Sequence, residues 1–232
     1  MDFSFGGQSL KPDIRWLSDM LDVIYDREWL DSVQNPEEVE LYYMYRDLAL
    51  SDEDRELMQN NKLRYDITVI PPLNLGKEFV KTKGHCHPPA PANSLSYPEL
   101  YEVLEGEAHY LLQKEDDVIL VSAQMGDKVV IPPKYCHITI NPSSQELRMA
   151  NFVSTEFESD YGSIIEKKGG AYFELTDGKV IGNKNYQKLP ELRKLEPREL
   201  DIFGLNEFKQ IYDIIKEVPD ILEFLNSPEK HY

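Results

Sequence analysis

From Arg64 onward the chain is written in short runs: RYDITVIPP, EFVKTKGHCH, ELYEVLEGEAHYLLQ, DVILVSAQ, DKVVIPP, HITINPS and LRMANFVST. They are rich in Val, Ile, Tyr and Thr and divided by Gly, Pro, Asp and Asn. Short strands at this spacing predict an antiparallel sandwich or barrel. AYFELTDGKVIGN then reads as a hairpin turning on Asp177-Gly178. Upstream, residues 12–34 predict a short strand or coil followed by a helix near 26–34. VELYYMYRDLAL reads as a strand, and SDEDRELMQNN after it as a polar loop. From about Leu189 the texture becomes helical: Phe208, Ile211, Ile214 and Ile215 recur at steps of three and four, and Pro219 should break or restart the helix. The expectation is one barrel domain over 1–188 and a helical extension over 189–232 packed on its outside, because no flexible linker separates them.

Within this frame, two of the five histidines stand one residue apart, in GHCHPP. Side chains alternate along a strand, so His85 and His87 point one way and Cys86 the other. Glu99, on the next strand, adds a carboxylate, and His137 supplies a third imidazole from another strand of the same sheet. Three imidazoles and one carboxylate suit a divalent transition metal with room for substrate or water. Iron(II), manganese(II), nickel(II) and zinc(II) all tolerate these ligands. His109 and His231 are assigned to core or surface. Cys86 and Cys136, the only cysteines, flank ligands but face away from them, and are expected to be small buried residues in a reducing compartment.

A formal net charge of −17 argues against nucleic acid and anionic membrane as partners. No apolar run approaches the roughly 20 residues that span a bilayer, and no secretory signal is visible. A soluble, cytoplasmic protein is the simplest expectation. A small anionic substrate remains compatible, because a metal or a local lysine reverses the field inside a pocket.

The spacings resemble the paired motifs of the cupin superfamily: His85, His87, Glu99 and Gly106 for the first, Gly126, Pro132, His137 and Asn141 for the second. The gap between His87 and Glu99 is longer than usual, and Lys134 stands where a glycine is common. The fold implied is a mainly β cupin barrel, a jelly roll or double-stranded β-helix. More narrowly, RWLSDM, GKEFVKTKGHCH, ELYEVLEG, LLQ, IPPKYCHITIN and DYGSIIEKKGG are similar, in order, to segments of the archaeal-type, metal-dependent glucose-6-phosphate isomerases. The resemblance runs from about Ile14 to Gly170. It implies metal ligation by His85, His87, Glu99 and His137, and binding of a sugar phosphate by Thr68, Thr82, Gly84 and Tyr161. It also implies catalytic roles for Glu99 and Tyr101, and a homodimer. Lys83 lies nearby, although alternation turns it outward. Two positions depart from the family: Ser159 replaces a histidine before DYG, and Val153 replaces a tyrosine. A non-catalytic sugar-phosphate-binding cupin, or a cupin dioxygenase or decarboxylase, are the alternatives.

Overall fold

The computed structural model describes residues 3–91 and 94–232. Its principal strands, in chain order, are β1 (Asp13–Trp16), β2 (Glu40–Tyr45), β3 (Leu63–Ile70), β4 (Glu99–Glu105), β5 (Glu107–Lys114), β6 (Asp117–Gln124), β7 (Lys128–Ile131), β8 (Cys136–Ile140), β9 (Leu147–Ser154) and β10 (Leu192–Leu195). They form two sheets, a six-stranded one in the order β7-β4-β9-β3-β2-β1 and a four-stranded one in the order β8-β5-β6-β10. Pairing is antiparallel except where β10 joins β6 in parallel. The result is the expected mainly β cupin sandwich. Gly106 makes the corner between β4 and β5 at φ +82°; a β-carbon there would lie 2.5 Å from the Glu146 carbonyl oxygen, so the chain can turn so tightly only at glycine.

Alternation divides the apolar residues between two cores. Tyr101, Val103, Tyr110, Leu112, Val121 and Val129 fill the space between the sheets. Leu100, Val130, Phe152 and the odd-numbered residues of β3 (Tyr65, Ile67 and Val69) form a second cluster on the other face of the large sheet. The C-terminal segment covers that face. Its helix Ile211–Glu217 buries Ile211, Ile214 and Ile215, and after Pro219 a 3-10 turn over Pro219–Leu225 buries Leu222, Phe224 and Leu225. Phe208 is half-buried at the rim of the same cluster.

Three local expectations need correction. SDEDRELMQNN is a helix over Asp52–Asn60, not a loop. The Ser51 hydroxyl accepts from the Asp54 N–H at 3.1 Å, and Asp52, Glu53 and Asp54 sit in the first turn, where the helix dipole favours negative charge. The tail does not begin as helix: Leu192–Leu195 extends the small sheet, so the expected boundary at 188/189 falls just before a strand of the barrel itself. In EFVKTKGHCH only Glu78–Phe79 is strand; the remainder is held by single bridges, Lys81 to Ile140 and His85 to His137. The expected hairpin forms, Tyr172–Glu174 against Val180–Gly182. Among the described residues no helix is long and apolar enough to cross a membrane.

Phe224 is fully buried between the tail and the large sheet. Phe224→Ala should lower stability by about 3–5 kcal/mol, read as a shift in urea midpoint, while metal content stays unchanged.

Candidate metal centre

Two antiparallel hydrogen bonds bring the halves of the site together: His85 N–H donates to the His137 carbonyl at 3.1 Å, and His137 N–H to the His85 carbonyl at 2.9 Å. This pairing stacks the rings with centroids 4.3 Å apart. Glu99 opens β4 beside them, and ligand atoms of His85, His87, Glu99 and His137 all lie within 4.8 Å of one another. His87 and His137 each place Nε2 3.3 Å from Glu99 Oε2, and His85 Nε2 is 3.8 Å from it. The cluster is nearly dry. Side-chain exposure is 4% or less for His87, Glu99 and His137, against 19% for His85, which faces the cavity.

The protonation pattern fits a cation. His87 Nδ1 lies 2.8 Å from the Tyr97 carbonyl, which can only accept, so the proton sits on Nδ1 and the Nε2 lone pair points inward. That lone pair is 3.1 Å from His85 Nε2. Burial holds the His85 imidazole well below its usual pKa and lowers that of His137. Burial opposes charge on Glu99, but His137 and His87 beside it hold the carboxyl well below the usual range. Glu99 is thus held as a carboxylate, and burial opposes charge on the His85 and His137 rings. Asn151 Nδ2 donates to Glu99 Oε1 at 2.8 Å, whereas Oε2 is buried with no hydrogen-bond partner. An unsatisfied buried carboxylate oxygen costs several kcal/mol. A divalent cation at this point takes up that oxygen and the converging lone pairs, so the residues present fit a metal.

The cavity beside the cluster is lined by Thr68, Thr82, Gly84, Tyr101 and Tyr161, together with Val153 and Ser159. Tyr101 OH is 3.1 Å from His137 Nε2; burial, and then Glu99, push its pKa well above the usual value, so it keeps its proton. Thr82 Oγ1 accepts from Thr139 N–H at 2.9 Å, which leaves its own hydrogen to donate. Gly84 has φ +79°, and a β-carbon there would run into Ile138. His109 is elsewhere, 2.8 Å from Glu174, and His231 is near Glu223 in the tail. Asn141 is buried and ties the Ile70 and Gln145 carbonyls, so it supports the site without entering it.

Sequence reasoning missed the cations. Arg15, Arg46, Arg64 and Lys83 all line this cavity, so Lys83 is not turned outward as expected. Lys83 Nζ stands 5.8 Å from the Tyr161 ring centroid, and the Arg15 guanidinium is 6.0 Å from the same ring. Neither has a carboxylate within ion-pair distance among the described residues, and Arg15 Nε is buried without a hydrogen-bond partner. A signal was present for Arg64: period-two alternation in RYDITV puts it on the same face as Thr68. Arg15 and Arg46 sit on or beside β1 and β2, which only tertiary packing brings to the barrel mouth.

The cysteines also need correction. Since His85 pairs with His137, Cys86 stands opposite Cys136, and the two are joined in a disulfide with Cα atoms 4.1 Å apart. They are not separate buried thiols. The bond lies on the face of this strand pair away from the metal cluster, with Cys86 Sγ 3.0 Å from Ser163 Oγ.

A two-sheet cupin barrel with a three-histidine, one-glutamate cluster at its mouth is the class that fold and site define. The family description glucose-6-phosphate isomerase (GPI) matches residues 14–191. The glucose-6-phosphate isomerase of Pyrococcus furiosus is 32% identical over 193 residues, 81% of this chain and 95% of that one. The enzyme of the same name from Thermococcus litoralis is 30% identical over 188 residues, 80% and 92% of the two chains. The chain therefore belongs to the glucose-6-phosphate isomerase family. Among solved structures, an R92A mutant of Bacillus subtilis oxalate decarboxylase shares 16% identity and a TM-score of 0.39, over 57% of this chain and 30% of that one.

Closing a loop of 50 residues, the cross-link should contribute about 2–4 kcal/mol. The paired substitution Cys86→Ser with Cys136→Ser should lower stability by that amount, and thiol titration of the denatured wild type should find two thiols only after reduction.

Proposed function

We infer that the protein is a metal-dependent isomerase interconverting glucose 6-phosphate and fructose 6-phosphate. One observation carries the reading beyond family membership: the buried cluster opens on the same cavity as Arg15 and Lys83, two cations without carboxylate partners among the described residues of a chain of net charge −17. A dianionic substrate needs such a pole, because the surrounding surface repels it.

In this reading His85, His87, Glu99 and His137 hold one divalent metal, iron(II) first and manganese(II), nickel(II) or zinc(II) as alternatives. The metal supplies Lewis-acid stabilisation of negative charge developing on the substrate oxygens. The phosphate is held by Thr68, Thr82 and the Gly84 backbone, with Lys83 and Arg15 flanking Tyr161. This remote binding positions C1 and C2 at the cluster. Tyr101 donates its retained proton to a sugar oxygen. Isomerisation from aldose to ketose moves one hydrogen from C2 to C1 and another from the C2 hydroxyl to the C1 oxygen. Glu99 is the nearest carboxylate to accept the carbon-bound hydrogen as a proton; a direct hydride shift from C2 to C1 leaves Glu99 as ligand only. The resemblance to the family further supports a homodimer.

A coupled assay with each metal tests the reading. Fructose 6-phosphate should turn over, and free fructose should be slower by orders of magnitude, since it lacks the phosphate that Lys83 and Arg15 receive. Equal rates on both would overturn it. His137→Ala should lose bound metal by elemental analysis. Thr68→Val should raise KM about tenfold with kcat nearly unchanged; it is a cleaner probe than Thr82→Val, which also strands the Thr139 N–H. Reaction in heavy water separates the chemical routes, because a proton carried by Glu99 exchanges with solvent and a shifted hydride does not.

A further inference from the structure

Three of the four clustered ligands stand next to the disulfide in the chain: His85 and His87 on either side of Cys86, and His137 after Cys136. The backbone pairing beneath it is thin. Residues 85 and 137 form an isolated bridge of two hydrogen bonds, so the disulfide is the one covalent tie between the segment of His85 and His87 and strand β8. The chain has no other cysteine, and both members of the pair are only half-buried.

A second cavity lies behind the cluster. Alternation puts Cys136 and its β5 partner Gln113 on the face of the small sheet opposite His137. A cavity of about 520 Å³ opens there, lined by Cys136, Ser163 and four lysines, Lys114, Lys134, Lys167 and Lys188. Glu115 is the one acidic residue in its wall. Lys114 pairs with Asp116 at 2.9 Å and Lys167 with Glu166 at 3.0 Å, whereas Lys134 and Lys188 have no carboxylate within ion-pair distance among the described residues. The Lys134 N–H donates to Ser96 Oγ at 2.6 Å, which fixes the backbone two residues before Cys136. In a chain of net charge −17, this wall draws small anions to a disulfide.

The two sulfurs are not equivalent. Cys136 lines the cavity and Cys86 does not. Ser163 Oγ is 3.0 Å from Cys86 Sγ and 4.0 Å from Cys136 Sγ. A nucleophile arriving through the cavity meets Cys136 first, and Cys86 is the sulfur whose departure the Ser163 hydroxyl can assist by donating a hydrogen bond.

We propose that the Cys86–Cys136 disulfide is an exchange site for small thiols that carry carboxylates, and that opening it loosens the metal cluster. The incoming thiolate bonds to Cys136 Sγ, the Sγ–Sγ bond breaks, and its electron pair goes to Cys86 Sγ. A second thiol attacks the outer sulfur of the mixed disulfide and leaves Cys136 reduced. Two small thiols are thereby oxidised to one disulfide, and their protons pass to Cys86 and Cys136. The coupling rests on the metal reading of the cluster; the exchange does not.

The test uses the oxidised full chain with two probes, mercaptosuccinate, an anionic thiol, and neutral 2-mercaptoethanol, compared at equal thiolate concentration. Peptide mapping after an acid quench should find the mercaptosuccinate adduct on Cys136. Mercaptosuccinate should react about tenfold faster at low salt, and salt should erase the advantage. Lys134→Gln combined with Lys188→Gln should remove it too, with the 2-mercaptoethanol rate within about twofold of wild type. Ser163→Ala should slow both thiols alike. Adduct on Cys86, or rates blind to thiol charge and to the two lysines, would overturn the exchange site. For the coupling, manganese(II), which has little affinity for thiolates, is titrated after the reductant is removed under nitrogen. Reduced wild type should bind it about tenfold more weakly than oxidised wild type, and Cys86→Ser with Cys136→Ser should bind it at the weaker level with or without reductant. Equal affinity in both states would defeat the coupling. A chain that takes up no manganese in either state would sink the metal reading and the coupling with it, and the adduct on Cys136 would still establish the exchange site.

Discussion

The reciprocal backbone hydrogen bonds between His85 and His137 hold together two segments that lie far apart in the chain. Side chains follow from that register by alternation. The imidazoles fall on the cavity side, the cysteines meet on the reverse, and Cys86 pairs in turn with Asp160 through N–H to carbonyl bonds of 2.8 and 2.9 Å. The last of these pairings carries Tyr161 to the mouth of the pocket. A metal cluster, a cross-link and an aromatic wall thus share one local geometry. Its weak point is that His85 and His87 lie outside any regular strand, so the disulfide supplies constraint that ladder hydrogen bonds supply elsewhere.

Charge is arranged against the average. The chain has 42 acidic and 25 basic residues, yet four cations converge on one cavity. Two are neutralised in part by Asp66, and two, Arg15 and Lys83, line the cavity without a carboxylate partner among the described residues. Low dielectric at the barrel mouth magnifies their field relative to that of the screened acidic surface. An anion that approaches is repelled at long range and captured at short range, a combination that favours compact phosphorylated ligands over polyanions.

The metal cluster and the sandwich were legible because both are written in local spacing: His-x-His in a strand, and turn residues between β-branched runs. The helix over Asp52–Asn60 was hidden because its apolar contacts are few and its acidic first turn resembles a solvated loop; Ser51 as N-cap was the readable clue. Lys83 was misplaced because alternation was counted from Thr82 and Gly84; counted from His85 and His87, it puts residue 83 on the cavity side. The disulfide required knowing that residues 85 and 137 are partners, which fixes 86 against 136. Arg15 and Arg46 depend on the addition of β2 and β1 at the edge of the six-stranded sheet, which no local pattern encodes. Val153 and Ser159, visible as departures from the family, both line the pocket, and Val153 is the residue opposite Arg64.

Strand β3 has two working faces. Arg64, Asp66 and Thr68 look into the cavity, while Tyr65, Ile67 and Val69 form the bed on which the C-terminal segment lies. Tyr212 of that segment sits with its ring 4.9 Å from Tyr65, behind the cavity-lining row. A strand used on both sides has no silent positions between Arg64 and Val69, because each change alters either the lining of the cavity or the bed of the tail. Sequence drift in such a strand is confined to concerted exchanges, and the cavity floor and the appended segment must change together.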